Sequence, residues 1–240
     1  MGLHLKRNKK RIILLSIIYR ISKLLFMINS KKKLNLYLNL EWIFDRLAHE
    51  ESFKNFHYDM HPLRIYSLEF IQKQISLSDN VLDLGCNLGE ISNKIAEFSN
   101  QVVGVDYNND LITIAKTKYK KPNLNFICTD ALSYIEKTNE KFDVIILSHI
   151  LEHIDNPEMF LKKCIPYAKK IFIELPDFEK TYLNYYRSAM NNKLNYTDVD
   201  HIWEFNRTEL FSLINGVGLK VIDCEFKFGV IKVWCETTSL

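Results

Sequence analysis

The chain has 240 residues, of which 47% are hydrophobic and 25% charged, with 15 Phe, 12 Tyr, 7 Gly and 5 Pro. That is enough apolar material to bury a core, which excludes wholesale disorder and collagen-like or linker-like sequence; the length fits one α/β domain with an added terminal segment. The net charge of +3 conceals a split: residues 1–40 hold ten Lys or Arg and no acid, so the rest of the chain sets 22 basic against 29 acidic residues, a balance of −7.

The basic part comes first. Residues 6–11 read Lys-Arg-Asn-Lys-Lys-Arg, an apolar run from Ile12 to Ile28 follows, and Lys31, Lys32 and Lys33 close it. Ser16, Arg20, Ser22 and Lys23 interrupt the run, which is short and charged for a membrane span. No small-residue cleavage site follows it, as a signal peptide would require. Ser16, Arg20 and Lys23 recur at helical spacing and draw a polar stripe on an apolar helix. Two arrangements stay open for residues 6–33: a helix lying in a membrane interface against anionic lipid, or one packed on the body or on a second copy in a homodimer. Nucleic acid fits less well, because the cluster has no interleaved reading motif and the body is acidic.

Residues 34–75 read as helical, although Leu34, Leu36, Leu38 and Leu40 alternate briefly like a strand. An aromatic, turn-like stretch at 53–62 interrupts them, and Pro62 opens a helix with Leu63, Tyr66, Phe70 and Ile71 as apolar positions. From residue 80 strands and helices alternate. Strands are expected at 81–84, 102–105, 124–128, 142–147 and 170–175, and helices at 90–98, 110–118, 131–137 and 157–164. This alternation predicts a parallel sheet covered on both faces. A helix at 208–215 leads to strands at 220–225 and 230–235, whose link at Gly229 is too short for a crossover, so that pair is antiparallel. The fold class is α/β: a seven-stranded, mostly parallel sheet with an antiparallel last strand and helices on both faces. Residues 1–56 read as a basic, apolar helical extension and 57–240 as the domain.

The turn Gly85-Cys86-Asn87-Leu88-Gly89 is expected to set backbone N–H groups and a helix N-terminus beside a ligand. Asp106 lies 21 residues after Gly85 at the tip of the second strand, where a carboxylate accepts from ribose hydroxyls. The five cysteines, at 86, 128, 164, 224 and 235, form no CxxC pair and read as reduced thiols of a cytoplasmic protein, peripheral to the inner face of the membrane if the leader lies on it.

Four segments together carry a family resemblance: Val81-Leu82-Asp83-Leu84-Gly85-Cys86-Asn87-Leu88-Gly89, Val103-Gly104-Val105-Asp106, Cys128-Thr129-Asp130-Ala131, and Phe142 through His153 with its Leu151-Glu152-His153. Over roughly residues 57–235 the chain resembles the class I S-adenosylmethionine-dependent methyltransferases, whose sheet is Rossmann-like. The resemblance implies S-adenosyl-L-methionine as cofactor. Gly85, Cys86 and Gly89 would wrap its methionine part, with Asp83 near the ammonium group. Asp106 would bind the ribose hydroxyls, with Tyr107 against the adenine. Asp130 and Ala131 would meet the adenine edge, Ser148 the sulfonium side, and Arg64 the carboxylate. Tyr58 and His61 share the segment that often caps the cofactor in relatives. Asn87 stands where the family usually has glycine; Asn tolerates a left-handed backbone, so the turn is expected to survive.

Methyl transfer requires an aligned nucleophile and, for a hydroxyl, removal of its proton. His153 and then His149 are the candidate general bases. Glu152, Asp155, Asp177, Tyr182, Tyr185, Tyr186, His201 and Glu204 surround them in sequence. His149, Glu152 and His153 share helical spacing and with His201 resemble the metal tetrad of small-RNA 2′-O-methyltransferases, but the leading reading has no metal. Residues 177–205 read as a substrate lid, with Tyr182, Tyr185, Tyr186 and Arg187 placed to grip a sugar. The expected function is O-methylation of a small molecule or sugar in glycan biosynthesis. N-methylation of an amine, methylation of a quinone or lipid precursor, a metal-dependent RNA methyltransferase and a non-catalytic scaffold stay open.

Overall fold

In a computed structural model of the chain, residues 13–56, 61–194, 198 and 200–237 are described. The basic cluster at 6–11 and Tyr58 lie outside the described residues. Helices α1 (Ile13–Leu24), α2 (Ser30–Asn55) and α3 (Pro62–Gln72) precede the sheet. Then come β1 (Asn80–Leu84), α4 (Glu90–Ile95), β2 (Gln101–Asp106), α5 (Asn109–Lys118), β3 (Leu124–Cys128), α6 (Ala131–Lys137) and β4 (Phe142–Ser148). They are followed by α7 (Pro157–Cys164), β5 (Ala168–Pro176), α8 (Leu183–Ala189), α9 (Arg207–Gly216), β6 (Leu219–Lys227) and β7 (Val230–Thr237). The leucine-rich start of α2 is helix, not strand.

The seven strands form one sheet in the order β3-β2-β1-β4-β5-β7-β6. Strands β1 to β5 pair in parallel, and β7 runs antiparallel to both β5 and β6. The expected fold class is therefore the observed one. The central strands are apolar runs because both faces are covered. Leu82, Leu84, Ile145, Leu147, Ile171 and Ile173 pack on one side with Leu161 and Leu210. Val81, Val144, Ile146, Phe172 and Trp234 pack on the other with Phe70 and Ile71 of α3. Trp234 also donates its indole N–H to the Phe70 carbonyl at 3.1 Å, which anchors α3 to the last strand.

Short polar residues end the loops and start the helices. Asn108, Asp130 and Asn156 accept from backbone N–H groups of the first turns of α5, α6 and α7, and Asn206 with Glu209 makes a capping box on α9. The β6–β7 hairpin turns through Phe228 and Gly229, both at positive φ, as a two-residue turn between twisted strands requires. The Leu-Glu-His segment is a 3₁₀ turn over Leu151–His153 rather than a longer helix, and His149 precedes it at φ 54°.

Gly89 sits at φ +73°, and a Cβ there would strike the Phe126 ring, whereas a Cβ on Gly216 would meet nothing within 4 Å. Gly89→Ala is expected to cost about 2–4 kcal/mol, from left-handed strain plus overpacking. Gly216→Ala is expected to gain roughly 0.5 kcal/mol from lower unfolded-state entropy. Urea denaturation of the two variants checks both, and equal stability would refute the packing account.

Candidate active site

Strands β1 and β4 are neighbours, yet the chain leaves them in opposite directions across the sheet, which opens a crevice at their C-terminal ends. The glycine turn lines one side. Gly85, Asn87 and Gly89 all have left-handed backbone, so Asn87 holds the conformation expected of it. The N–H groups of the turn itself bond within the protein. Gly85 and Cys86 donate to the Val105 carbonyl (2.8 and 3.0 Å) and Gly89 donates to the Cys86 carbonyl (2.8 Å). Asn87 donates to Asp106 Oδ2 (2.9 Å) and Leu88 to the Asn87 side chain (2.7 Å). A pyrophosphate cradle needs unengaged N–H donors. This turn is not such a cradle, whereas a cofactor with an ammonium group, as S-adenosylmethionine has, needs acceptors nearby.

The acids along the crevice agree with that fit. Asp83 is 2% exposed, accepts from the Ser92 hydroxyl, and burial pushes its carboxyl up to about 7. A cationic ligand group nearby would restore its charge. Asp106 is aimed by two backbone N–H groups, from Asn87 and Asn108, at 2.9 Å each. Tyr107 beside it is 79% exposed, leaving its ring face open to a stacking partner. Asp130 is exposed and caps α6 through Ser133 N–H at 2.8 Å, with Ala131 as the first helical residue. Cys86 is buried, and desolvation raises its thiol pKa, so it packs rather than reacts. Ser148 is half-buried at the end of β4. Arg64 is half-buried on α3, its guanidinium 5.5 Å from the Phe53 ring centre. Burial pulls its pKa down, against the charges of Glu90 and Glu174.

His149 follows Ser148 and is held between two buried carboxylates. Its Nδ1 lies 3.1 Å from Glu152 Oε1 and its Nε2 3.8 Å from Glu174 Oε1. Glu152 is 1% exposed and Glu174 4%, and in each the second oxygen has no hydrogen-bond partner. Ser67 of α3 donates to Glu174 Oε1 at 2.6 Å. Burial works against the charged imidazole, but Glu152 and Glu174 outweigh it and raise the His149 pKa above its ordinary value.

A cavity of about 540 Å³ opens beside His149. One wall is the second half of α2, with Trp42, Asp45, Arg46 and His49; the opposite wall includes Lys180, Asn184, Asp198 and His201. Ion pairs Lys180–Asp45 (2.9 Å) and Arg46–Asp198 (2.8 Å) cross between them. Arg187 is among the lining residues, yet both of its terminal guanidinium nitrogens are engaged within the protein. It is 2% exposed and binds Glu41, the Leu38 carbonyl (3.0 Å) and Asn184 (2.7 Å), clamping α8 to α2. Tyr185 is tied to Glu179 at 2.6 Å, and Tyr182 and Tyr186 pack edge to face. None of these three tyrosines is among the residues lining the cavity. Further along the same segment, the Ile202 and Trp203 N–H groups donate to the Glu152 carbonyl (2.8 and 3.1 Å).

His153 is not among the lining residues; its Nδ1 lies 3.2 Å from the Asp200 carbonyl oxygen. Its ring meets that of His201 at 4.9 Å. Glu152, His153 and His201 bring ligand-type atoms within 4.8 Å of one another, three of the four residues of the tetrad weighed above, while His149 falls outside that group. His61 is buried, stacks on Phe53 and shares a 3.1 Å contact with Ser52. Sequence reasoning missed Glu174 and the α2 wall. A lone carboxylate inside the apolar strand Ile171-Phe-Ile-Glu-Leu175 was a readable signal for Glu174.

Residues 40–223 match the family described as a methyltransferase domain. The ubiquinone biosynthesis O-methyltransferase of Coxiella burnetii (strain RSA 493 / Nine Mile phase I) is 33% identical over 113 residues, covering 46% of this chain and 48% of that protein. That of Pseudomonas fluorescens (strain Pf0-1) is 30% identical over 136 residues, covering 52% and 56%. The chain thus spans about half the length of the curated relatives it matches. The N-methyltransferase NodS from Bradyrhizobium japonicum WM9, solved with S-adenosyl-L-homocysteine, superposes with TM-score 0.56 at 14% identity, over 75% of this chain and 88% of that one. Magnesium protoporphyrin IX methyltransferase from Synechocystis PCC 6803 gives 0.57 at 13%, over 72% and 83%. At such identities the two structures establish the fold.

Arg187→Ala removes the clamp between α8 and α2 and strands its partners. A loss of about 2–3 kcal/mol in urea denaturation is expected, discounted for the half-exposed Glu41; a loss below about 0.5 kcal/mol would show that α2 is held by other contacts.

Proposed function

The chain belongs to the class I S-adenosylmethionine-dependent methyltransferases, with S-adenosyl-L-methionine as cofactor, and from that premise we propose that it methylates a hydroxyl oxygen of a small-molecule acceptor, with His149 as general base. The observation that carries the reading is the imidazole held between Glu152 and Glu174 at the wall of the cavity.

Bound in the crevice, the cofactor supplies an electrophilic methyl group on sulfur. The remaining work falls to the chain. Asp106 and Tyr107 hold the ribose and adenine end, and Asp83 answers the ammonium group. Glu152 fixes the tautomer by accepting from Nδ1–H, which leaves Nε2 as the basic nitrogen. Nε2 takes the acceptor's proton, and Glu174 stabilises the imidazolium that forms. Two backbone bonds from Ile202 and Trp203 hold the Glu152 carbonyl and so steady the carboxylate that orients the ring.

The acceptor we favour is a sugar or similar polyol, as in glycan biosynthesis. Glu41, Asp45 and Asp198 offer acceptors along the cavity, Arg46 and Lys180 offer donors, and Trp42 offers an aromatic plate. A phenolic quinone precursor is the second reading, supported by the likeness to the ubiquinone-pathway enzymes. Release of S-adenosylhomocysteine across nucleotide-linked sugars, oligosaccharides and catechol-type phenols separates the two. No release with any hydroxylated acceptor would overturn the proposal.

Two outcomes test the base. The His149 pKa is raised, so the neutral, basic form gains only as pH climbs past the ordinary histidine value of 6.5. The ratio kcat/KM is expected to rise along that limb, and Glu152→Gln should move its midpoint down, because one group that raises the pKa is gone. His149→Gln should remove the limb and lower kcat by about 10²–10⁴. An amine acceptor would keep its own limb in that variant, and a kcat within threefold of the parent would rule out His149 as the base.

Asp83→Asn deletes the carboxylate expected to meet the cofactor ammonium. Calorimetric binding of S-adenosylmethionine should weaken roughly 10- to 100-fold, the worth of a charge-assisted hydrogen bond; unchanged affinity would remove Asp83 from the cofactor site.

A further inference from the structure

Helix α1 buries no residue against the rest of the molecule. Ile13, Leu14, Ile17, Ile18, Ile21 and Leu24 are all exposed, between 47% and 73%. At 100° per residue these six fall on one arc about 140° wide. Ser16, Arg20 and Lys23 occupy a separate stripe. The helix is held to α2 by the Ser22 hydroxyl, 2.6 Å from the Tyr37 hydroxyl. Among the described residues no helix is long and apolar enough to cross a membrane.

We propose that α1 docks this protein on an anionic phospholipid surface, lying parallel to it with Ile13, Ile17, Ile21 and Leu24 among the acyl chains. The charge distribution selects this occupant. Residues 1–40 carry ten cations and no acid. A second α1 packed on this one, arc to arc, would bring the same cations against it and be repelled. A nucleic acid would meet the charge but leave six apolar side chains in water. An anionic bilayer satisfies both the apolar arc and the cations at Arg20, Lys23 and Lys31–Lys33. The helix α2 then leads from that surface to the cavity wall. From Lys31 to Glu41 is ten residues, about 15 Å of helix. The docking stands independently of which acceptor is methylated.

The test is sedimentation of the full chain with vesicles of phosphatidylcholine and phosphatidylglycerol (7:3) against pure phosphatidylcholine. Binding is expected to the mixed vesicles and to fall at least tenfold in pure phosphatidylcholine or at 500 mM salt. Ile17→Asp with Ile21→Asp should abolish it, with circular dichroism and cofactor affinity unchanged, since α1 lies outside the packed body. Replacing Lys31, Lys32 and Lys33 by Gln should weaken binding roughly a hundredfold, about fivefold per lysine. Equal binding to both vesicle types, or binding that survives the paired Asp substitutions, would overturn the proposal. So would vesicle-free dimerisation, or RNA binding, that the Asp substitutions remove, because the arc would then have another occupant.

Discussion

Strands β1 and β4 lie side by side in parallel, with Leu84 opposite Leu147, and the site is arranged around that pairing. After β1 the chain goes to β2 and β3, whereas after β4 it goes to β5. The loops at these two strand ends therefore part, and the gap cannot be filled by a crossover helix. The glycine turn stands on one side of the gap and Ser148 with His149 on the other. Both rest on strand residues with no exposure at all, so their positions are set by a close-packed interior rather than by loop flexibility.

Around that gap the molecule accepts an electrostatic burden. Asp83 in β1, Glu174 in β5 and Glu152 in the turn after β4 are buried carboxylates among Leu, Ile and Val side chains. Each has a partial answer: Ser92 for Asp83, His149 for Glu152, and Ser67 with the more distant His149 for Glu174. The unpartnered second oxygens of the two glutamates mark where the structure is least satisfied. A hydrogen-bond donor arriving there is favoured, because an unpartnered carboxylate oxygen is costly in a low-dielectric interior. The same logic extends to the glycine turn. Its own N–H groups are all answered within the protein, by the Val105 and Cys86 carbonyls and the Asp106 and Asn87 side chains.

Helix α2 joins two environments. Its middle is drawn to the body by Leu38, by the Arg187–Glu41 pair and by Asp45 and Arg46, and lines the cavity. Its first residues lie next to α1, which touches little. The extension at the start of the chain is thus divided: part of it walls the cavity, and part remains at the surface with an apolar arc.

The regular elements were readable because periodicity and punctuation agree. Buried parallel strands must be continuous apolar runs, Asn and Asp at helix starts are caps, and Gly229 between two short strands leaves only a hairpin. The glycine turn, Asp106 and the segment ending at His153 were legible as local motifs. Glu174, the α2 wall and the role of Arg187 were not, because each depends on contacts between residues more than a hundred positions apart: Ser67 with Glu174, and Arg187 with Leu38 and Glu41. His149 and His153 show the limit most plainly. Four residues apart, they look equivalent in a linear reading. Only the left-handed backbone at His149 and the 3₁₀ turn after it direct one ring between two glutamates at the cavity wall and the other toward His201. The sequence by itself determined the sheet, its crevice and the family of the cofactor, since these follow from local pattern. The tertiary structure decided which histidine lines the cavity and which glutamates flank it, since these follow from how distant segments pack.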